Sequence, residues 1–454
     1  MKRDPHIIGL IGTAAIAVAI IFNVSTLPLF TASDIDSRAV RWLIWSFDVA
    51  ALTSGMILLA KRKTIRPRSL AFFAICVGVT LVILEAALQV SAAVSPAADL
   101  ILSQKLPVTA DDRLGHRPIS AHPEHDENGY RNAAVPDTVD IVTLGDSQTY
   151  GDNADRESAW PQQLQAITDI EVYNLAYGGY TPAHNLLQIE EALELKPRMV
   201  LATLYTGNDL EEAYWFVNLQ RKAADLLSKD GRHLDELARL ELEKPTSYRS
   251  LDLGETGYRP KLAGLLKALL RMVILATESE DDYWDLRKRQ AVRADDVVVD
   301  IENRATILTV NRRLEALDIS DPRIEEGLRI CLRALRVMHD RSTRAQAAFG
   351  VLLIPTKELV YRNFVLSDPA IVPGSAYRQL VENEERVLRI ATIELETQGI
   401  RVISALPYLR EALAIGDAPY SKSDNGHPNR NGYRAIASAV ADSIDRGIFK
   451  DGAR

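Results

Sequence analysis

The chain has 454 residues, of which 47% are hydrophobic and 25% charged, and its net charge is −8. This length is enough to bury a large core. The negative charge argues against a nucleic-acid binder that works through a positive field, and two cysteines are too few for a disulfide framework. No spacing of cysteine and histidine resembles a zinc site, and we expect the protein to need neither metal nor cofactor.

Three apolar segments occupy the first hundred residues, namely Ile7 to Phe22, Val40 to Ala60 and Ser69 to Val90. The second and third are about 20 residues long, the length of a helix that crosses a bilayer. A cleaved signal peptide is the alternative for the first segment, but two further apolar segments follow it and favour an anchor. The sequence therefore predicts a membrane region over residues 1–95 with three transmembrane helices.

Basic residues flank these segments unevenly. Lys2 and Arg3 precede the first, and the loop KRKTIRPR, Lys61 to Arg68, joins the second and third. Because basic loops stay in the cytoplasm, three crossings place the rest of the chain on the extracytoplasmic, or periplasmic, side of the cell membrane. The acids Asp48 and Glu85 are costly within lipid, and we expect each of them to face a neighbouring helix.

A tether and a lead-in loop are expected over residues 96–138. Short apolar runs separated by helical stretches follow, which indicates βαβ units and a parallel sheet. We therefore predict a flavodoxin-like, three-layer α/β/α fold over residues 139–454, with a central parallel sheet of about five strands. The predicted strands are Val139–Leu144, Ile170–Leu175, Met199–Leu204, Phe349–Ile354 and Arg401–Ser404.

The third and fourth predicted strands are separated by roughly 140 residues, far more than a crossover connection needs. A helical insertion is therefore expected at about residues 211–323. Within it, Lys261 to Thr277 is apolar around most of its circumference. Two interpretations remain open for this segment: a helix buried against the core, or a lid or membrane-surface helix.

Polar residues follow the predicted strands, at the sheet edge where open parallel sheets bind ligands. Ser147 follows the first strand, Gly179 the second and Asn208 the third, while Asp424 and His427 lie beyond the fifth. A serine hydroxyl needs an adjacent base, and a histidine base needs a carboxylate to fix its tautomer. Backbone N–H groups and an amide side chain can donate to the oxyanion of an acyl-transfer reaction. The pattern therefore suits acyl transfer.

At these residues the sequence resembles the GDSL-type, or SGNH, serine hydrolases. The resemblance covers roughly residue 139 to the C-terminus without the insertion, and the four blocks occur in the family's order. Gln148, Thr206 and Ala176 depart from the family's usual residues, which affects the expected substrate shape more than the triad. The matching residues are Gly145, Asp146, Ser147, Gly179, Asn208, Asp209, Asp424 and His427.

The resemblance implies a role for each matching residue. Ser147 would be the nucleophile, His427 the base and Asp424 the partner of His427. The oxyanion hole would be formed by Ser147, Gly179 and Asn208.

Further polar residues are less specific. Lys357 and Asp209 lie at strand ends and are candidate substrate-binding residues. The alternative for Lys357 is an exposed lysine that does not bind the substrate. The histidines of the lead-in loop suit a solvated loop better than a metal site.

Three functions are compatible with these expectations. The first is a membrane-anchored serine esterase that hydrolyses an acetyl or short O-acyl ester through an acyl-enzyme. The second is an O-acyltransferase that moves an acyl group onto a cell-envelope or exported polysaccharide. The third is a non-catalytic glycan-binding module with a degenerate pocket. The expected partners are an O-acylated small molecule, glycan or lipid and the membrane lipid, but no nucleic acid.

Overall fold

The computed structural model describes residues 5–21, 23, 38–103, 106–246, 259–277, 280–294, 296–301, 303–369 and 374–448. The chain divides into two compact units: one holds residues 1–106 and 254–286, and the other holds residues 107–253 and 287–454. The insertion predicted at residues 211–323 is therefore shared between the two units.

The described residues form helices and short strands in the following order. The helices are α1 (Pro5–Ile21), α2 (Arg38–Ala60), α3 (Pro67–Val94), α4 (Pro96–Ser103), α5 (Ser147–Tyr150), α6 (Trp160–Thr168), α7 (Pro182–Glu194), α8 (Asp209–Tyr214), α9 (Gly231–Glu243), α10 (Lys261–Thr277), α11 (Glu280–Arg293), α12 (Val310–Ala316), α13 (Pro322–Arg344), α14 (Lys357–Val360), α15 (Arg362–Ser367), α16 (Ser375–Thr397), α17 (Leu406–Ala414) and α18 (Arg430–Ser443). The strands are β1 (Val108–Asp111), β2 (Gly115–Pro118), β3 (Ile141–Leu144), β4 (Val172–Asn174), β5 (Met199–Tyr205), β6 (Val297–Val299), β7 (Thr306–Leu308), β8 (Ala348–Ile354) and β9 (Arg401–Ser404).

One helix of the described residues is long and apolar enough to cross a membrane, and it is α3, with 28 residues. Helix α1 has only 17 residues, and the apolar part of α2 begins at Ile44 because Arg38 and Arg41 lie in its first turns. The structure therefore supports one candidate membrane helix and not the three that the sequence predicts. The end of the first predicted segment, Phe22, lies outside the described residues.

Helices α1 and α2 pack against each other through glycine. A Cβ on Gly12 would lie 2.9 Å from the carbonyl oxygen of Gly55, and a Cβ on Gly55 would lie 2.7 Å from that of Gly12. A side chain at either position would force the two backbones apart. Close contacts between small residues of this kind are common where helices pack within membranes.

Helix α10 belongs to the same unit and packs mainly against α2, α3 and α4. The carboxylate of Glu85 in α3 accepts the backbone N–H groups of Lys261 and Leu262 at 2.9 and 2.8 Å. These groups open α10 and have no partner within that helix, so Glu85 caps it. Glu85 thus faces a neighbouring helix, and the segment Lys261–Thr277 packs with the N-terminal helices.

The larger unit is built around a five-stranded sheet in the order β4-β3-β5-β8-β9, with every pair of neighbours parallel. This order is the flavodoxin-like one, and it confirms the predicted α/β fold and the five predicted strands. Strands β3, β4 and β5 are buried along their whole length. Such continuous apolar burial is expected for parallel strands that are covered on both faces.

Two groups of helices flank this sheet. Helices α7, α13 and α16 form one group, in which α13 contacts α7, α16 and strand β8. Helices α6, α17 and α18 form the other, and α6 contacts β4 while α18 contacts β9. Right-handed crossovers place the connections on opposite sides of the first strand in this topology, so the two groups cover opposite faces.

Two small antiparallel pairs were not predicted. Strands β1 and β2 form a hairpin in the lead-in loop, and β6 pairs with β7 inside the predicted helical insertion. Each strand has only three or four residues. Runs this short carry too little alternation of apolar and polar residues to be recognised from sequence.

Candidate active site

Ser147 lies at the carboxyl end of β3, where the strand turns into α5. The preceding carboxyl group, on Asp146, accepts the backbone N–H of Gln148 at 2.9 Å and so caps this short helix. Gly145 makes the turn possible, because a Cβ there would overlap the hydroxyl groups of Thr149 and Thr203. The turn therefore fixes the backbone of Ser147 at the edge of the sheet.

His427 approaches from the other end of the sequence. It lies in the loop between α17 and α18, and its Nε2 is 2.7 Å from Oγ of Ser147. The fold thus brings together two side chains that are 280 residues apart. This separation is within hydrogen-bond reach for a nucleophile and its base.

The Nδ1 atom of His427 contacts a different residue from the predicted one. It lies 2.7 Å from Oδ1 of Asn425, which also accepts the backbone N–H of His427 at 3.0 Å. Among the contacts of the described residues, Asp424 has none with His427. Its Oδ1 is instead 2.5 Å from Nη2 of Arg287 in α11. The charged guanidinium draws the carboxylate away from the imidazole, and the spacing of Asp424 and His427 could not reveal this partner.

The predicted oxyanion residues follow the two strands beside Ser147 in the sheet. A Cβ on Gly178 would lie 3.9 Å from Cβ of Ser147, so the turn that contains Gly179 lies beside the serine. Gly179 has a φ of +78°, a left-handed conformation that glycine adopts without strain. Asn208 follows β5, and its backbone carbonyl oxygen accepts the N–H of Glu212 at 3.0 Å, one turn later.

Asp209 is buried, and its carboxyl group accepts a hydrogen bond from the backbone. Its Oδ2 accepts the N–H of Tyr205 at 2.8 Å, which closes the turn after β5. Burial raises the pKa of Asp209, and the neighbouring carboxyl of Asp146 raises it further. Burial likewise raises the pKa of Asp146 to about 8 and that of Glu212 to about 7. The carboxyl groups of Asp146 and Asp209 thus hold backbone N–H groups in the turns after β3 and β5.

Lys357 is also fully buried, contrary to the interpretation of it as an exposed lysine. Its Nζ donates to the carbonyl oxygens of Ser423 and Asn425 at 3.1 and 3.0 Å. Burial lowers the pKa of Lys357 to about 8. The lysine therefore supports the loop that carries His427.

Two charged residues of the site were missed from the sequence. Arg313 in α12 donates to the carbonyl oxygen of Gly207 at 2.6 Å, and its guanidinium lies over the ring of Tyr205 at 5.6 Å. Asp152 places Oδ2 3.8 Å from Nε2 of His427. Neither residue belongs to a recognisable motif, and Arg313 comes from the segment predicted as an insertion.

Burial and nearby cations keep the imidazole of His427 neutral. Burial lowers the pKa of His427 to about 4, and the positive charges of Arg313, Lys357 and Arg312 contribute to this effect. A neutral imidazole can accept a proton at physiological pH, which is the state that a general base needs.

Two histidines of the lead-in loop, residues 96–138, contact the turn after β4 and the end of α5. Nε2 of His116 lies 3.0 Å from the carbonyl oxygen of Gly178, and Nε2 of His125 lies 2.8 Å from the hydroxyl of Tyr150. Burial lowers the pKa of both histidines. In the part of the chain that the structure describes, no group of three or more His, Cys, Asp or Glu residues is arranged to hold a metal ion.

No protein-family profile matches the chain, and no curated protein matches it. Among solved structures, it is similar to phospholipase A1 from Streptomyces albidoflavus, with 11% identity over 68% of this chain and 99% of that chain and a TM-score of 0.34. It is also similar to an acetylxylan esterase from Geobacillus stearothermophilus (12% identity, 67% and 94% coverage, TM-score 0.32). A third is a psychrotrophic esterase from Pseudoalteromonas sp. (12%, 67% and 96%, TM-score 0.29). Scores this low do not identify a family, and the function has to be inferred from the residues of the site.

Proposed function

We propose that this chain is a membrane-anchored serine esterase of the GDSL type. The observation that carries the proposal is the 2.7 Å separation between Oγ of Ser147 and Nε2 of His427. The low pKa of His427 supports it, because a neutral imidazole can take the proton of the serine hydroxyl. The motif residues of the sequence and the arrangement of the sheet support the same assignment.

In the proposed reaction, Nε2 of His427 takes the hydroxyl proton as Oγ of Ser147 attacks the ester carbonyl. The developing oxyanion accepts hydrogen bonds from the backbone N–H groups of Ser147 and Gly179 and from the amide of Asn208. Nε2 then gives its proton to the leaving alcohol, and an acyl-enzyme remains. Water repeats the sequence, releasing the acid and restoring the hydroxyl of Ser147.

The proposed substrate is an acetyl or short O-acyl ester of a small molecule, a glycan or a lipid. We further propose that α3 anchors the chain in the cell membrane, with the α/β unit on the extracytoplasmic side. The length and apolar composition of α3 and the basic loop before it support this anchor.

The test uses the full chain in detergent, with p-nitrophenyl acetate as substrate and a fluorophosphonate as active-site label. Ser147→Ala should abolish both hydrolysis and labelling, because it removes the hydroxyl that lies beside Nε2 of His427. Ser342→Ala is the matched control, since Ser342 is another buried serine, at the far end of α13. It should leave labelling intact. An unlabelled wild-type chain, or equal labelling of Ser147→Ala, would contradict the proposal.

The same assay separates the two alternatives. An acyltransferase should release little free acid until an acceptor oligosaccharide is added, whereas a hydrolase should show no dependence on an acceptor. A non-catalytic glycan-binding module should bind the oligosaccharide without any fluorophosphonate labelling.

A further inference from the structure

Two adjacent residues, Asp424 and Asn425, lie close enough in sequence to His427 for either side chain to hydrogen-bond to its imidazole. Asp424 and Asn425 both lie within three residues of His427, but the structure gives them different partners. Oδ1 of Asn425 is 2.7 Å from Nδ1 of His427, while Oδ1 of Asp424 is 2.5 Å from Nη2 of Arg287. We propose that the amide of Asn425, and not the carboxylate of Asp424, positions His427 for reaction. This inference rests on the proposed esterase function.

The backbone of His427 determines which way the amide of Asn425 points. The N–H of His427 can only donate, and it lies 3.0 Å from the same side-chain atom that faces Nδ1. That atom must therefore be the amide oxygen. An oxygen facing Nδ1 requires Nδ1 to carry the proton, which leaves the lone pair of Nε2 directed at Oγ of Ser147. The neutral amide thus selects the tautomer that a general base needs.

The backbone of the loop is held so that Asn425 keeps this orientation. Nζ of Lys357 donates to the carbonyl oxygens of Ser423 and Asn425, and the N–H of Asn425 lies 3.2 Å from Oγ of Ser423. Gly426 is packed against Arg313, because a Cβ at this position would lie 2.6 Å from Nη2 of the arginine. Contacts on both sides of Asn425 therefore hold its backbone, from which the side chain reaches His427.

The charges around His427 fit a neutral partner. Burial lowers the pKa of His427, and the positive charges of Arg313, Lys357 and Arg312 lower it further. Asp152 is the carboxylate near the ring, 3.8 Å from Nε2, on the side of Ser147. A carboxylate at Nδ1 would stabilise the imidazolium and raise the pKa of His427, whereas an amide leaves it low.

The experiment compares Asn425→Ala, Asn425→Asp and Asp424→Asn in the full chain in detergent. We expect Asn425→Ala to lower kcat for p-nitrophenyl acetate at least about a hundredfold, with KM changed by no more than about threefold. Asp424→Asn should stay within about threefold of the wild type in kcat. Asn425→Asp should retain activity, but the acid limb of its kcat/KM profile should move upward by about one pH unit or more.

The pH shift of Asn425→Asp is the result that a merely structural role would not produce. It also decides the question if Asn425→Ala does not fold. The proposal is overturned if Asp424→Asn loses about a hundredfold or more in kcat, if Asn425→Ala folds and keeps its activity, or if Asn425→Asp leaves the acid limb in place. Failure of the esterase proposal is distinguishable, because the wild-type chain itself would then not be labelled by the fluorophosphonate.

Discussion

Burial and the positive charges of three nearby residues set the pH range in which the imidazole of His427 can act as a base. The positive charges of Arg312, Arg313 and Lys357 act with burial to lower the pKa of His427 to about 4. Asp152 lies 3.8 Å from Nε2, and burial raises its own pKa to about 6. The base and this carboxyl group therefore titrate at different pH values.

This separation predicts the acid side of the pH profile. Below its pKa, His427 is protonated and cannot take the proton of Ser147, so kcat/KM should rise as the pH rises through about 4. We expect kcat/KM for p-nitrophenyl acetate at pH 5.5 to lie within about a factor of two of its value at pH 7. A histidine with the ordinary pKa of about 6.5 would give about a tenth instead. Asp152→Asn is the control, and its acid limb should stay near that of the wild type.

The contact between Ser147 and His427 could be predicted from the sequence because each residue belongs to a block with a recognisable order along the chain. The oxyanion roles of Gly179 and Asn208 stay predictions. The hydrogen-bond partner of Nδ1 of His427 could not be predicted, because Asn425 and Asp424 are neighbours and either can reach the imidazole from its position in the loop. The choice depends on a guanidinium contributed from a helix 137 residues earlier than Asp424. Contacts that distant leave no local pattern in the sequence.

At the scale of the elements, the loop from Ser423 to His427 has no regular structure and depends on Lys357 for its shape. The ammonium group donates to two carbonyl oxygens of the loop, and a buried lysine is unfavourable unless it is paired in this way. The residue after β8 therefore supports the loop of His427, the proposed base of the serine at the end of β3.

Lys357→Met tests this support, since methionine keeps most of the apolar stem and removes the donor. We expect kcat for p-nitrophenyl acetate to fall by about tenfold to a hundredfold, because small displacements of a catalytic group cost this much. Lys196→Met is the matched control: Lys196 is exposed just before β5, at the opposite end of the sheet, and its replacement should leave kcat unchanged. Wild-type activity of a folded Lys357→Met variant would contradict the prediction, because the loop from Ser423 to His427 would then keep its shape without the ammonium group.

The central strands were predictable because each is a continuous apolar run that parallel sheets bury on both faces. The β1–β2 hairpin and the β6–β7 pair were not, since each strand is too short to show a period. The position of α10 was left open by the sequence for a different reason. Its apolar circumference suits several environments, and the choice rests on the carboxylate of Glu85 in a distant helix.

At the scale of the whole molecule, the chain separates an apolar helical unit from an α/β unit. Helix α3 exposes many apolar side chains, among them Phe72, Phe73, Val82 and Ile83, each at least 64% exposed. In water this surface would be strongly unfavourable, whereas in a bilayer it faces lipid. The α/β unit carries its apolar residues in the core instead. The proposed membrane anchor explains why apolar side chains are exposed on α3 but buried in the α/β unit.

The orientation of that anchor follows from the basic loop between α2 and α3, which should remain in the cytoplasm and leave α9 outside. In a chain with Cys76 and Cys331 replaced, single cysteines at two exposed positions report the side directly: Arg232→Cys in α9 and Lys63→Cys in the basic loop. A membrane-impermeant maleimide added to intact spheroplasts should label Arg232→Cys at once. It should label Lys63→Cys only after lysis. The reverse pattern would place the α/β unit in the cytoplasm. Labelling of both cysteines before lysis would show that the basic loop between α2 and α3 is not in the cytoplasm, and would contradict the proposed orientation.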